Sequence, residues 1–192
     1  MAYLFKKHFD LIGNHDEDLD HVPEFKTTID SIVDNAHTIV SVGWRPETGY
    51  QLYEYIGAFA KVIMLEAFES NVTSFTRTDL AKPMHGDILQ LVHSIQDKQI
   101  DLLIWQDGPE HVTHEEFDEF LPKAKQIFKN IILATPNGHF PQGAYLGNIY
   151  ETHKSSWFKE DYTKRGFEVA EYLAPTKNSS NKTRGLIGYF AA

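Results

Sequence analysis

The strongest constraint on the fold is a pair of apolar runs that each end abruptly in polar, turn-forming residues. The first run, residues 102–105, leads into Gln106-Asp107-Gly108-Pro109-Glu110-His111. The second run, residues 131–134, leads into Thr135-Pro136-Asn137-Gly138, and the 113–130 stretch between the runs has a helical pattern. Strand, polar turn, helix, strand and polar turn in this order predict a βαβ unit of a parallel sheet.

In parallel sheets, ligands bind in the crevice outside the carboxyl ends of the strands. The polar residues that follow the two runs are therefore expected to lie close together. They define a candidate site formed by Asp107, Glu110, His111 and Asn137.

Length and composition predict one globular domain. The chain has 192 residues, of which 42% are hydrophobic and 13% aromatic, which is enough for a sizeable core. We expect residues 1–22 to form an N-terminal leader and residues 23–192 to form the domain. The absence of cysteine excludes disulfides, thiolate zinc sites and cysteine nucleophiles.

Charge and hydropathy narrow the expected partners and location. The formal net charge of −9 argues against broad binding of a phosphate backbone, which needs a basic surface. The first residues lack the apolar core of a signal peptide, and no window of the sequence resembles a membrane span. We therefore expect a soluble, cytoplasmic protein that binds neither nucleic acid nor membrane.

Apolar and β-branched runs alternate with amphipathic stretches along the chain. Strands are predicted at residues 38–42, 61–65, 102–105, 131–134, 167–172 and 186–190, with a weakly marked strand that ends at His85. Helices are predicted over residues 23–35, 48–59, part of 67–82, 89–95, 113–130 and 157–165. The last two strands are joined by the polar loop 176–184 and are expected to pair as an antiparallel hairpin at one edge of the sheet.

This order of elements resembles the class I S-adenosylmethionine-dependent methyltransferases from about Pro23 onward. Asp107-Gly108-Pro109-Glu110-His111-Val112 looks like the end of strand four in the small-molecule members of that class. Ala134-Thr135-Pro136-Asn137-Gly138-His139 resembles their turn after strand five, and residues 150–169 resemble the segment that leads through a helix to strand six. The resemblance implies a Rossmann-like three-layer α/β/α sandwich with a mostly parallel seven-stranded sheet.

The glycine-rich loop after the first strand departs from the family's pattern of an acid followed by three alternating glycines. The matching positions are Ser41, Gly43, Arg45 and Glu47, so only the first glycine is present. Glycines in this loop let the backbone approach the cofactor closely because they have no Cβ. Arg45 and Glu47 either point outward and leave the loop competent, or fill the pocket.

Two other cofactor positions match the family's pattern better. Glu66 stands where the family places an acid that accepts hydrogen bonds from the ribose, and the alternative is an ordinary exposed glutamate at a strand end. Asp87, in Gly86-Asp87-Ile88, stands where an acid contacts the adenine amino group, and it also suits a helix N-cap. The resemblance thus implies cofactor contacts from Ser41, Gly43, Trp44, Glu66, Ala67, Gly86, Asp87, Ile88 and Asp107.

The catalytic candidates are Asp107, Glu110 and His111, which are expected to face the transferred group. His111 suits a general base because neutral imidazole is available near pH 7, and otherwise it orients the start of the following helix. His111 and His114 would share one helix face as a possible metal pair, but no third ligand is identified, so no metal site is assigned. His139 and His153 are candidates for substrate contact.

The sequence supports two functional hypotheses. The first is an S-adenosylmethionine-dependent methyltransferase that acts on a small molecule. The second is a methyltransferase-like scaffold that binds no cofactor and serves as an interaction domain or an inactive homologue. Residues 107–110 do not match the Asn/Asp-Pro-Pro-aromatic motif of methyltransferases that act on DNA amino groups, which also favours a small substrate.

Overall fold

A computed structural model describes residues 23–95, 100–175 and 182–192. The predicted leader, residues 1–22, lies outside the described residues. The strands are β1 (Thr38–Val42), β2 (Lys61–Glu66), β3 (Lys82–His85), β4 (Ile100–Gln106), β5 (Phe128–Pro136), β6 (Glu168–Pro175) and β7 (Lys182–Ala191). The helices are α1 (Pro23–Asp34), α2 (Gln51–Ile56), α3 (Glu69–Ser74), α4 (Ile88–Ser94), α5 (His114–Ile127) and α6 (Lys159–Thr163). Short 3-10 turns occupy Pro46–Thr48, Pro109–His111 and Ile149–Glu151.

The strands form one seven-stranded sheet in the order β3-β2-β1-β4-β5-β7-β6. The pairs from β3 through β5 are parallel, whereas β7 is antiparallel to both β5 and β6. The predicted parallel neighbours and the predicted antiparallel hairpin at one edge are both confirmed. Residues 182–184, predicted as loop, belong to β7, and the rest of that loop lies outside the described residues.

Alternation of side chains along the central strands produces two apolar layers. On β4, Leu102 and Ile104 face the layer that holds α1 and α2, whereas Leu103 and Trp105 face the layer that holds α4 and α5. Helix α5 buries Phe117 and Phe120 in this second layer, one on each of two successive turns. The expected three-layer α/β/α sandwich with a mostly parallel sheet is confirmed.

Several boundaries differ from the predicted ones for local reasons. Helix α2 ends at Ile56 with Gly57 as its C-cap, and glycine is a weak helix former, so Phe59 falls outside the helix. The predicted helix 113–130 ends at Ile127 because the chain enters β5 at Phe128. Strand β3 forms despite Pro83 because it is an edge strand with a partner on one side only.

The described helices are also too short or too polar to cross a bilayer.

Candidate functional site

The loop after β1 borders the candidate crevice, and its backbone conformation at residue 43 favours glycine. Gly43 has a φ of 82° and is exposed, and its N–H donates to the carbonyl oxygen of Leu65 at 2.9 Å. No atom lies within 4 Å of the position that a Cβ would take, so a ligand has access to this backbone. Trp44 turns away into the core, where it packs on Tyr50 and Phe75.

Glu66, at the end of β2, ties this loop to the next one. Its carboxylate accepts hydrogen bonds from the N–H of Trp44 at 2.8 Å and of Phe68 at 2.7 Å. The side chain is only 6% exposed, and burial raises its pKa although these two donors act in the opposite direction. Glu66 is therefore not an exposed strand-end glutamate, and it holds two crevice loops in place.

The loop after β3 places Asp87 at the start of α4. Its carboxylate accepts the N–H of Leu89 at 2.9 Å, so the N-cap alternative for Asp87 is realised. Gly86 donates its N–H to the carbonyl oxygen of Glu66 at 3.0 Å, which fixes this loop beside β2.

Three further cofactor candidates differ in accessibility. Ile88 is buried in the second apolar layer. Ser41 is buried as well, with its hydroxyl 3.3 Å from that of Tyr53, so its side chain lies under the sheet end and not in the open crevice. Ala67 is half-buried, and its carbonyl oxygen lies 3.0 Å from Nε2 of His85.

The turn after β4 is tight and strained. Asp107 has a φ of 45°, an uncommon value for a residue with a side chain, and it is exposed. Gly108 lies against the indole of Trp105 so closely that an added Cβ would meet Nε1 at 1.8 Å. This turn leads directly into the 3-10 turn that carries Glu110 and His111.

Glu110 is a buried carboxyl group without a hydrogen-bond partner. The side chain is 2% exposed, and among the described residues neither carboxylate oxygen has a partner at hydrogen-bond distance and angle. Burial raises its pKa well above the usual value, and the nearby charge of Asp107 acts in the same direction. The sequence placed Glu110 in the crevice, but its burial was not predicted.

His111 lies beside Glu110 with one ring nitrogen engaged. Its Nδ1 is 3.3 Å from the carbonyl oxygen of Thr152, which can only accept, so we assign the ring proton to Nδ1. The lone pair is then on Nε2. Burial and the neighbouring His153 lower the pKa of His111 to about 4, which makes the ring neutral at pH 7 and a weak proton acceptor.

His114 does not pair with His111, contrary to the metal-pair alternative. His111 ends the 3-10 turn, whereas His114 begins α5, so the two do not share one helix face. The Nε2 of His114 lies 3.1 Å from the carbonyl oxygen of Ser156, and its Nδ1 lies 3.2 Å from a guanidinium nitrogen of Arg165. Both ring nitrogens of His114 therefore have hydrogen-bond partners within the fold.

The segment 138–158, whose His139 and His153 were predicted to contact substrate, packs against the 3-10 turn. The N–H groups of Lys154 and Ser155 both donate to the carbonyl oxygen of Glu110, at 2.8 and 3.1 Å. These bonds bring His153 beside His111, with ring centroids 4.8 Å apart. A cavity of about 440 Å³ borders this segment and is lined by residues that include His139, His153 and Ser156.

Arg45 connects the β1 loop to the same segment. Its guanidinium forms an ion pair with Glu151 at 3.1 Å and lies over the ring of Tyr145 at 5.6 Å. Glu47 is exposed. Of the two loop residues that replace glycines, Arg45 therefore bridges the β1 loop and the 138–158 segment, and Glu47 faces solvent.

The crevice thus joins residues from the ends of three strands. Glu66, Asp87 and Asp107 follow β2, β3 and β4, while Glu110 and His111 meet His153 of the 138–158 segment. Asn137, predicted in the same crevice, lies half-buried after β5. The sequence signal for this segment was the pair of histidines, His139 and His153, each predicted to contact substrate; the structure groups only His153 with Glu110 and His111.

Comparison with known proteins gives structural likeness only. No protein-family model matches the sequence, and no curated protein matches it. A S-adenosylmethionine-dependent methyltransferase from Archaeoglobus fulgidus is similar in structure, with a TM-score of 0.58, 17% identity, and coverage of 98% of this chain and 99% of that one.

Two further solved structures are similar. The N-terminal domain of EvdMO1 with S-adenosylhomocysteine bound has a TM-score of 0.54 and 13% identity, with coverage of 93% and 82%. The small RNA methyltransferase HEN1 has a TM-score of 0.57 and 15% identity, with coverage of 93% of this chain and 26% of that one. The likeness to an RNA methyltransferase gives no support to the expectation that nucleic acid is not a substrate. The strand order, the closing hairpin and these likenesses together show that the chain has the fold of class I S-adenosylmethionine-dependent methyltransferases.

Proposed function

We propose that this chain transfers a methyl group from S-adenosylmethionine to a small molecule. The proposal rests on the position of three acidic residues. Glu66 ends β2, and Asp87 and Asp107 follow β3 and β4. All three therefore lie at the carboxyl ends of parallel strands, in a sheet with the class I methyltransferase order. Acids at these strand ends suit a ligand with ribose hydroxyls and an amino group, since carboxylates accept hydrogen bonds from both.

The residues of the crevice fit this cofactor in three respects. The open space at Gly43 admits the methionine portion of the cofactor against the backbone. Each oxygen of Glu66 accepts one backbone N–H and so keeps acceptor capacity for a ribose hydroxyl. Asp87 uses its carboxylate on Leu89 N–H at one oxygen and keeps the other for an amino group.

The bound cofactor would supply the electrophilic methyl group. The chain would align the nucleophile with it and exclude water, and alignment alone accounts for several kcal/mol in comparable reactions, about 7–11 at most. In this proposal Asp107 and His111 would face the transferred methyl, and Glu110 would lie buried beside them. The Arg45–Glu151 bridge joins the β1 loop to the 138–158 segment, and in this proposal it would restrict access to a small acceptor.

A direct titration tests cofactor binding. We expect S-adenosylmethionine or S-adenosylhomocysteine to bind, and Glu66→Ala to weaken binding by roughly 1–3 kcal/mol because ribose hydroxyls lose their acceptor. Glu47→Ala is the matched control, since Glu47 carries the same charge in the adjacent loop but is exposed. A thermal melt of Glu66→Ala beside the parent separates loss of binding from a misfolded loop, because Glu66 also accepts the N–H groups of Trp44 and Phe68.

The alternative is a methyltransferase-like scaffold that binds no cofactor. The Arg45–Glu151 bridge favours this alternative, because it holds a guanidinium at a loop position where the family's pattern has glycine. Isothermal titration without heat, combined with no competition at millimolar cofactor, would establish the scaffold and reject the methyltransferase proposal.

A further inference from the structure

Three side chains that could ligate a metal ion meet beside the turn after β4. They are Glu110, His111 and His153, and one ligand atom from each lies within 4.8 Å of the other two. Glu110 and His111 are adjacent in the 3-10 turn, whereas His153 arrives from the 138–158 segment. The two backbone hydrogen bonds to the carbonyl oxygen of Glu110 hold that segment in register with the turn.

We infer that Glu110, His111 and His153 form a binding site for one divalent transition-metal ion. The inference goes beyond the proposed methyl transfer, and it stands on the geometry of the three side chains whether or not the chain binds S-adenosylmethionine.

The buried carboxyl group of Glu110 is the first argument. A carboxyl group that is 2% exposed and whose oxygens have no hydrogen-bond partner of normal geometry among the described residues is costly, because the group has lost its hydration without a full replacement. No lysine or arginine is paired with it among the described ion pairs. A cation coordinated by the carboxylate would supply the missing partner.

The orientation of the two histidine rings is the second, independent argument. Nδ1 of His111 faces the carbonyl oxygen of Thr152, and Nδ1 of His153 faces the carbonyl oxygen of Phe140. Both rings therefore carry the proton on Nδ1, which leaves the lone pair of Nε2 available as a metal ligand. Histidines that ligate metals usually donate their other ring nitrogen to a backbone carbonyl or a carboxylate, which fixes the tautomer and the ring plane.

The ligand set selects the class of metal. Two imidazoles and one carboxylate suit zinc, manganese, iron, cobalt or nickel ions, whereas calcium and magnesium prefer oxygen ligands alone. Three protein ligands leave coordination positions open for water or for an oxygen of a bound molecule. Asp107 and Glu151 add negative charge around the three ligands, and the guanidinium of Arg45 partly offsets it.

The open coordination positions of the ion indicate a role in binding the methyl acceptor. This role rests on the proposed function. The ligands lie at the carboxyl end of β4, where the acceptor of the methyl group is proposed to bind. An ion there would hold a hydroxyl or carbonyl oxygen of the acceptor and lower the pKa of a hydroxyl. A substrate that offers an oxygen atom as the nucleophile is thus favoured over one that offers only carbon or sulfur.

Metal binding by the full chain tests the inference without cofactor or substrate. After treatment with a chelator and its removal, the protein is titrated with Co²⁺ and, separately, with Zn²⁺, by calorimetry and by the visible absorption of bound Co²⁺. We expect one ion per chain and a higher melting temperature with metal. His153→Ala should weaken binding on the order of 100-fold or more, since changes outside the ligand shell already cost 10–100-fold.

Two further variants keep the test decisive. Glu110→Gln fills the same volume and should fold without metal, yet lose the metal-induced rise of the melting temperature. His93→Ala, on the exposed side of α4, is the control and should bind like the parent chain. Absence of binding in the folded parent would overturn the site, as would parental affinity in His153→Ala, which would place the ion on other histidines of the chain. Loss of cofactor binding with metal binding retained would reject the proposed function alone.

Discussion

Gly108 lies in direct contact with the indole of Trp105, at the turn where the crevice begins. A Cβ at this position would meet the indole at 1.8–2.5 Å, and the ring is held by Phe117 and Phe120 in the second apolar layer. Since neither the backbone nor a buried indole can shift without disturbing that layer, the position requires glycine. The sequence marks Gly108 as a turn residue, but only the fold shows what it contacts.

We predict that Gly108→Ala lowers the free energy of unfolding by roughly 1–3 kcal/mol, the usual cost of overpacking a filled core. Urea denaturation followed by circular dichroism measures the change. Gly143→Ala is the matched control, because nothing lies within 4 Å of its Cβ position and its φ is not positive. Equal stability of the two variants would show that Trp105 has room to move.

His111 is the histidine expected to govern a methyl-transfer activity. His111→Ala should lower turnover by a factor on the order of 10²–10⁴ with little change in cofactor affinity, whether His111 accepts a proton or ligates an ion that holds the acceptor. Turnover, a cofactor titration and a thermal melt are measured on the same preparation. A folded variant that turns over at the parental rate would remove His111 from the mechanism.

Asp101 joins the first residues of three strands. Its carboxylate accepts the N–H groups of His37 and Thr38 and the hydroxyl of Thr38, at 2.9–3.0 Å, and it pairs with Lys129 at 2.8 Å. Hydrogen bonds and the ammonium of Lys129 lower the pKa of Asp101 to about 2, with Lys129 as the largest cause. One side chain thus fixes the relative position of β1, β4 and β5 at the end of the sheet opposite the crevice.

We predict that Asp101→Asn lowers the free energy of unfolding by about 1–2 kcal/mol at pH 7, since its bonds involve a charged acceptor and the lysine is half exposed. The pKa of Asp101 is lower in the folded than in the unfolded chain, where it is about 3.9. Its contribution is therefore complete above pH 4 and is lost as the pH falls towards 2.

Urea denaturation of parent and variant at pH 7 and near pH 3 measures this difference. The gap in stability should shrink at the lower pH. The control is Asp79→Asn, which removes an exposed partner of Arg77 and should change stability much less than Asp101→Asn does. A gap that stays constant between the two pH values would show that the amide of asparagine, and not the lost charge, causes the destabilisation.

At the scale of elements, local patterns predicted most of the sheet. The β-branched run Thr38–Val42 and the apolar runs of β4 and β5 were recognised because buried parallel strands are almost continuously apolar. Strand β3 was weakly marked because it is short, contains Pro83 and has no fully buried residue. Helix α6 is shorter than predicted, because Trp157 belongs to an isolated bridge with Gly138 and not to a helix.

The candidate site was predictable only where it follows a strand end. Asp107, Glu110 and His111 could be placed because the topology of parallel sheets brings strand ends together. The burial of Glu110 and the position of His153 beside it could not be predicted. Both depend on backbone hydrogen bonds between positions more than 40 residues apart. Sequence spacing carries no record of such contacts, and the 138–158 segment has no strong helix or strand pattern that would fix its path.

The whole molecule consists of two apolar layers that share one sheet. Trp44 lies in the layer with α1 and α2, whereas Trp105 and Trp157 lie in the layer with α4 and α5. Each central strand contributes side chains to both layers in alternation, so neither layer can lose its packing while the sheet stays intact. The fluorescence of Trp44 therefore reports on the packing of the first layer, and that of Trp105 and Trp157 reports on the second.

We predict that the two layers unfold together, although chains longer than about 150 residues often populate intermediates. Trp44→Phe leaves fluorescence only from the second layer, and the double change Trp105→Phe with Trp157→Phe leaves it only from the first. In each variant, the urea midpoint from fluorescence should coincide with the midpoint from circular dichroism, so any change of stability caused by the substitutions cancels. A fluorescence midpoint in either variant that precedes its own circular dichroism midpoint would show that one layer melts first. The alternating side chains of β1, β4 and β5 would then be insufficient to couple the two layers.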